Sequence, residues 1–141
     1  MAACTLPVPI ETGDIPAAFV KVSEDGQLVD VSDSDVATGL GYYQVALSRA
    51  VWTEVITPDP RAVPLGQSVA GRLHDCLGML KLRMKTWGSV VRTDRGLECL
   101  FSFYAVMKVR QRRLIRLRAV IRLEEDQSAM ITIYGVKELL H

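Results

Sequence analysis

"LIRLRAVIRL", residues 114–123, decides how the chain folds. Read at a period of two, it sends Ile115, Leu117, Ala119, Ile121 and Leu123 to one side and Arg116, Arg118, Val120 and Arg122 to the other. That is a strand with an apolar face and a basic one. The stretch before it, "LECLFSFYAVMKV" at 97–109, alternates in the same way, with Cys99, Phe101, Phe103, Ala105 and Met107 on one face. In "AMITIYGV" at 129–136, Ala129, Ile131 and Ile133 point inward and Thr132 and Tyr134 outward. The apolar faces of the first two strands coincide only across an odd-numbered loop, for which Arg110-Gln111-Arg112 is the expected choice. That register sets Tyr104 opposite Arg118, Val106 opposite Arg116 and Leu100 opposite Arg122. The three strands form an antiparallel meander.

A cover for the apolar face comes from residues 68–87, where Val69, Leu73, Cys76, Leu77, Leu80 and Met84 recur at intervals of three and four, the spacing of an amphipathic helix. Further upstream, "FVKVSEDGQLVDVS" at 19–32 places two apolar stretches around Asp25-Gly26 and predicts a hairpin. Ser32, three residues before Asp35, predicts the start of a short helix that Gly39 or Gly41 ends. "YYQVALSRAVWTEVITPDP" at 42–60 reads as a brief strand, then a helix capped by Ser48 and stopped by Pro58 and Pro60. Residues 1–17, with Pro7, Pro9, Gly13 and Pro16, are expected to form an extended arm. The rest, 18–141, is expected to be one α+β domain: an antiparallel meander packed against one long helix, with an N-terminal hairpin and two short helices.

The 141 residues carry 17 Lys plus Arg against 16 Asp plus Glu, so overall charge does not predict a general nucleic-acid binder. Cys4, Cys76 and Cys99 form no CxxC and are odd in number, which argues against a disulfide framework or a zinc knuckle and for a reducing, cytoplasmic setting. The first ten residues have neither a basic nor a long apolar leader region, and no uncharged apolar run approaches the roughly 18 residues of a membrane helix.

Catalytic chemistry would have to start from His74, Asp75 and Cys76. On a helix, neighbours lie about 100 degrees apart, so these three cannot converge on one atom. Cys76 belongs to the apolar stripe, where a thiol acts as a small hydrophobe. His74 shares the opposite stripe with Gly78, Lys81 and Lys85, without a second histidine at i+4. No nucleophile elbow, phosphate loop or dinucleotide fingerprint occurs, so no catalytic, metal or cofactor residue is assigned. The basic sheet face is different. Arg116, Arg118 and Arg122 with Tyr104 and Tyr134, continued by Lys108, Arg110, Arg112 and Arg113, suit a partner surface or an anionic ligand.

"EDGQLVDVS" at 24–32, "LSRAVW" at 47–52, "GRLHDCLGML" at 71–80, and "RLRAVI" with "MITI" at 116–121 and 130–133 give the chain a resemblance to a family. It is a family of short, uncharacterised bacterial proteins, a domain of unknown function carried on plasmids, phages and other mobile elements. The family commonly has tryptophan where His74 stands and an aliphatic residue where Cys76 stands. The matching polar positions include Asp25, Asp30, Arg49, Arg72 and Asp75, of which Arg49, Arg72 and Asp75 lie on helices and are candidates for a small polar cluster. The resemblance implies a protein that helps a mobile element persist in its host, and no known activity. The expectation is a non-enzymatic protein that binds a host protein or nucleoprotein through the basic face. The alternatives are a direct nucleic-acid or nucleotide binder and a small hydrolase or transferase built on Arg49, Arg72, Asp75 and His74.

Overall fold

The computed structural model describes residues 10–106, 112–126 and 128–138. Strands β1 (Lys21–Val22) and β2 (Leu28–Asp30) form the expected hairpin. Gly26 takes the left-handed backbone the turn demands, at φ 74°. Asp25 accepts the Ser23 hydroxyl at 2.6 Å and the Gln27 amide at 3.0 Å, and these bonds hold its carboxyl below the usual range.

Helix α1 (Asp35–Gly39) is capped by Ser34, not Ser32: the Ser34 hydroxyl accepts the Ala37 amide at 3.2 Å. Ser32 is taken by the next strand, β3 (Gln44–Ser48), whose Val45 amide bonds its hydroxyl at 2.9 Å. Ser48 caps α2 (Arg49–Val51) as expected. That helix runs on as one π-turn over Trp52–Ile56, closed by the Thr57 amide on the Trp52 carbonyl at 2.9 Å, just short of Pro58.

The described part of the N-terminal segment is tied to the core. Ile15 is buried, the Trp52 indole donates to the Glu11 carbonyl at 2.8 Å, and Asp14 accepts the Ala70 amide at 2.9 Å. Gly13, at φ 58°, passes so close that a Cβ would lie 2.4 Å from Val69 Cγ2.

Ser68 caps the long helix α3 (Val69–Met84), accepting the Gly71 amide at 3.0 Å. Four strands follow: β4 (Val90–Thr93), β5 (Gly96–Val106), β6 (Arg112–Leu123) and β7 (Ala129–Gly135). The meander of β5, β6 and β7 matches the alternation in the sequence, whereas β4, hairpinned to β5, was not expected. The seven-stranded sheet has the order β1-β2-β3-β7-β6-β5-β4. It is antiparallel except where β3 pairs parallel with β7, so the N-terminal hairpin extends the sheet through β3. A parallel neighbour requires a long crossover, here everything from α2 to β6. The pairing sets Val45 beside Ile131 and Leu47 beside Ile133 on the buried face.

The β5–β6 register differs from expectation. Leu100 faces Arg118, Ser102 faces Arg116, Tyr104 faces Leu114 and Val106 faces Arg112. Arg112 already belongs to β6, so the connection falls within 107–111, outside the described residues, and the pairing is displaced by four positions from the expected one. Burial of one face fixes only the parity of the register, and both registers satisfy it. The faces are therefore as expected. Cys99, Phe101, Phe103, Leu117, Ala119, Ile131 and Ile133 form one core with Leu73, Cys76, Leu77 and Leu80 of α3, joined by Ala37, Val51 and Trp52.

Candidate partner-binding face

All three helices contribute to the core on one side of the sheet. On the other side lie the expected basic residues, in unequal environments. Arg116 and Arg122 are exposed and make no hydrogen bond or ion pair among the described residues, whereas Arg113, also exposed, sits opposite Ala105 at a position in step with the core face. Arg118 is half-buried, with Nε 3.6 Å from Glu98 and a terminal nitrogen 3.2 Å from the Val136 carbonyl. Glu98 is only 8% exposed and also accepts the Thr93 hydroxyl. Opposite it on β6, Val120 is 6% exposed. The centre of this face is thus sealed, and Arg118, one of the expected partner-binding residues, is the structural partner of a buried carboxylate. Tyr104 is exposed, with the Arg112 guanidinium 6.0 Å from its ring centroid. Tyr134 lies half-buried opposite Arg118. Lys108 and Arg110 lie outside the described residues.

Strand β4 covers β5 only as far as Cys99. Beyond that point α3 meets β5: Arg83 Nε donates to the Leu100 carbonyl at 3.3 Å, and Arg72 donates to the carbonyl of Val106. This leaves a groove of about 430 Å³ between the helix and the strands, lined by Met79, Leu82, Arg83, Leu100, Arg116 and Val136 among others. A second, more polar hollow shares Arg83 and Leu100 with it and adds Thr93, Asp94, Arg95, Glu98 and Arg118. Leu82 is 60% exposed, and Trp87, one residue past the groove-lining Thr86, is 98% exposed. The sequence reading missed Met79, Leu82, Arg83, Leu100 and Trp87. The signal was present: Met79, Leu82 and Arg83 on α3, with Thr86 just past its end, make a second stripe at spacings of three and four, off the core stripe.

The structure disperses the other candidate cluster. Arg72 is 2% exposed and gives its donors to Gln67 Oε1 at 3.2 Å, the Val55 carbonyl at 2.9 Å and the Val106 carbonyl. Burial lowers its pKa, partly offset by Asp59. No ion pair joins it to Asp75, which is exposed. Arg49 reaches the Gly26 carbonyl at 3.3 Å, in the β1–β2 turn. His74 is exposed while Cys76 is fully buried, and burial pushes the Cys76 thiol up, away from the reactive thiolate. Among the described residues no group of His, Cys, Asp and Glu is arranged to hold a metal ion, and no helix is long and apolar enough to cross a membrane. No family model matches the chain, and no curated protein or solved structure matches it either.

Proposed function

We propose that this chain is a non-enzymatic binding protein that docks a protein or nucleoprotein partner in the trough between α3 and the outer face of β5–β6. One observation carries the reading. Met79, Leu82, Leu100 and Val136 are exposed around a single groove, with Trp87 standing free near its rim and Arg83 and Arg116 beside it. Each of these side chains leaves apolar area in water that an associating surface would remove, at roughly 25 cal/mol per Å². Large aliphatic groups ringed by Trp, Tyr and Arg are the composition of an interface centre. The resemblance of the four sequence segments to a mobile-element family supports a partner in a bacterial host cytoplasm, with no cofactor involved.

Direct nucleic-acid binding is the second reading, favoured by the guanidinium groups of Arg116 and Arg122 on the same face, unpaired among the described residues. Salt separates the two. A groove-docked protein partner should survive the rise from about 0.05 to about 0.2 M salt, whereas binding through phosphates falls by orders of magnitude. The test is affinity capture from nuclease-treated host lysate with the wild-type chain and the Leu82→Asp, Leu100→Asp double variant, followed by mass spectrometry. Proteins retained by the first and lost from the second support docking. Capture that ignores the double change, or a nuclease-treated lysate that yields no captured protein, defeats it.

A further inference from the structure

Resting on that reading, we infer that the docked partner segment is acidic and aliphatic: its aliphatic side chains fill the groove beside Met79, Leu82 and Val136, and its carboxylates meet Arg83, flanked by Arg116 and Arg95. The two hollows on this side of the sheet share Arg83 and Leu100, so a single short segment can occupy both. Their chemistry differs along that path, aliphatic in the first and polar in the second. Four arginines, Arg83, Arg95, Arg116 and Arg118, line the pair against two carboxylates, Asp94 and Glu98. Glu98 is not available to balance the others, because it is buried and engaged by Arg118 and Thr93. The remaining charge is therefore open to a ligand.

Arg83 is the pivot. Its Nε is held by the Leu100 carbonyl, while its two terminal nitrogens make no bond among the described residues. A guanidinium fixed at one end presents the other as a ready fork for a carboxylate and loses less freedom on binding. Arg116 is likewise unpaired among the described residues and lines the same groove. A nucleic acid fits the lining less well. Single strands are held by several stacked bases, whereas here Phe101 in the groove lining is buried, the Tyr104 ring already has Arg112 over it, and Trp87 near the rim offers one exposed face beside an otherwise aliphatic lining. A second copy could offer its exposed Leu123-Glu124-Glu125-Asp126 turn. Such a contact would show as self-association of the chain, which the test reads directly.

The test selects peptides from a random displayed library on the full-length chain, resynthesises the enriched sequences with a fluorophore and measures binding by anisotropy. The expected peptides place Asp or Glu beside Leu, Ile, Val or Met. Their affinity should fall at least about tenfold on Arg83→Glu, and by a similar factor when the peptide acid becomes its amide. A peptide with Lys in place of the acid should bind the Arg83→Glu variant better than the wild type. Arg83→Gln, with its melting curve recorded, serves as the milder change should the charge reversal disturb folding. Peptides that need Leu82 but ignore the changes at Arg83 overturn this inference and leave the docking reading standing. An empty selection overturns it too, as does labelled duplex DNA that binds at physiological salt and displaces the peptides. Self-association abolished by Glu124→Lys with Glu125→Lys overturns it in favour of a second copy. Binding indifferent to both Leu82 and Arg83 defeats the docking reading with it.

Discussion

Phe103 and Tyr104 are neighbours on β5, yet the first is sealed in the core and the second stands in solvent beneath Arg112. Arg72 and Arg116 make the same contrast with one residue type. Arg72 is enclosed and satisfied by three acceptors, whereas Arg116 is exposed and unpaired among the described residues. The difference teaches that residue type does not assign a role here. Position relative to the core does: what points into it is spent on the fold, and what lies outside it is available for binding, except where a buried partner claims it, as Glu98 claims Arg118.

The largest effect should come from the inner face. Phe103→Ala removes a ring that is 2% exposed and leaves a cavity among Ala105, Ile115 and the helix side chains, so about 3–5 kcal/mol of stability should be lost in urea unfolding. Tyr104→Ala, one residue on, should change the same curve by less than about 0.5 kcal/mol. A comparable loss at both positions would mean that something covers the outer face.

Arg72→Ala comes next, at about 3 kcal/mol, because it strips donors from two main-chain carbonyls and Gln67 at once in a place water cannot easily reach. Arg72→Lys should recover only part of this, since one ammonium cannot span the same three acceptors. The smaller loss on Arg118→Ala, about 1–2 kcal/mol, should come from Glu98 left as a nearly buried carboxylate without its cation. Glu98→Gln in the same chain should return part of it. A double-mutant cycle reads this coupling, and a coupling of zero would show that the 3.6 Å pair contributes nothing.

How far the sequence foretold these roles depends on whether the signal was local. Strands β5, β6 and β7 were legible because each has one buried face and therefore a strict period of two, and α3 because its stripe and its Ser68 cap agree. Strand β4 was not, since Val91 and Arg92 are both exposed and no alternation shows. The parallel β3–β7 pairing was hidden because strand periodicity names a face and never a partner. Register was hidden for a related reason, parity being all that burial demands. The role of Arg72 was hidden because arginine usually lies outside and the carbonyls that hold it, those of Val55 and Val106, are distant in sequence. The trough was half legible. Met79 and Leu82 were surplus apolar residues on a helix whose core stripe was already complete, but only the fold places that surplus beside Leu100, Arg116 and Val136.

The smallest effect on stability should belong to Arg116→Glu, and it is the sharpest test of the contrast between the faces. Arg116 is exposed, sits opposite Ser102, and has no hydrogen bond or ion pair among the described residues. Its replacement therefore leaves no buried charge without a partner, and the midpoint of urea unfolding should move by less than about 0.5 kcal/mol. Binding should respond quite differently, because the substitution puts a negative charge on the wall of the groove and takes away one of its unpaired guanidinium groups. Partner capture should be lost from a chain that melts like the wild type. If the variant unfolds, another element or molecule covers this face. If it folds and still holds the partner, Arg116 is merely solvated and the contact lies elsewhere along α3, where Trp87→Ala should then remove it.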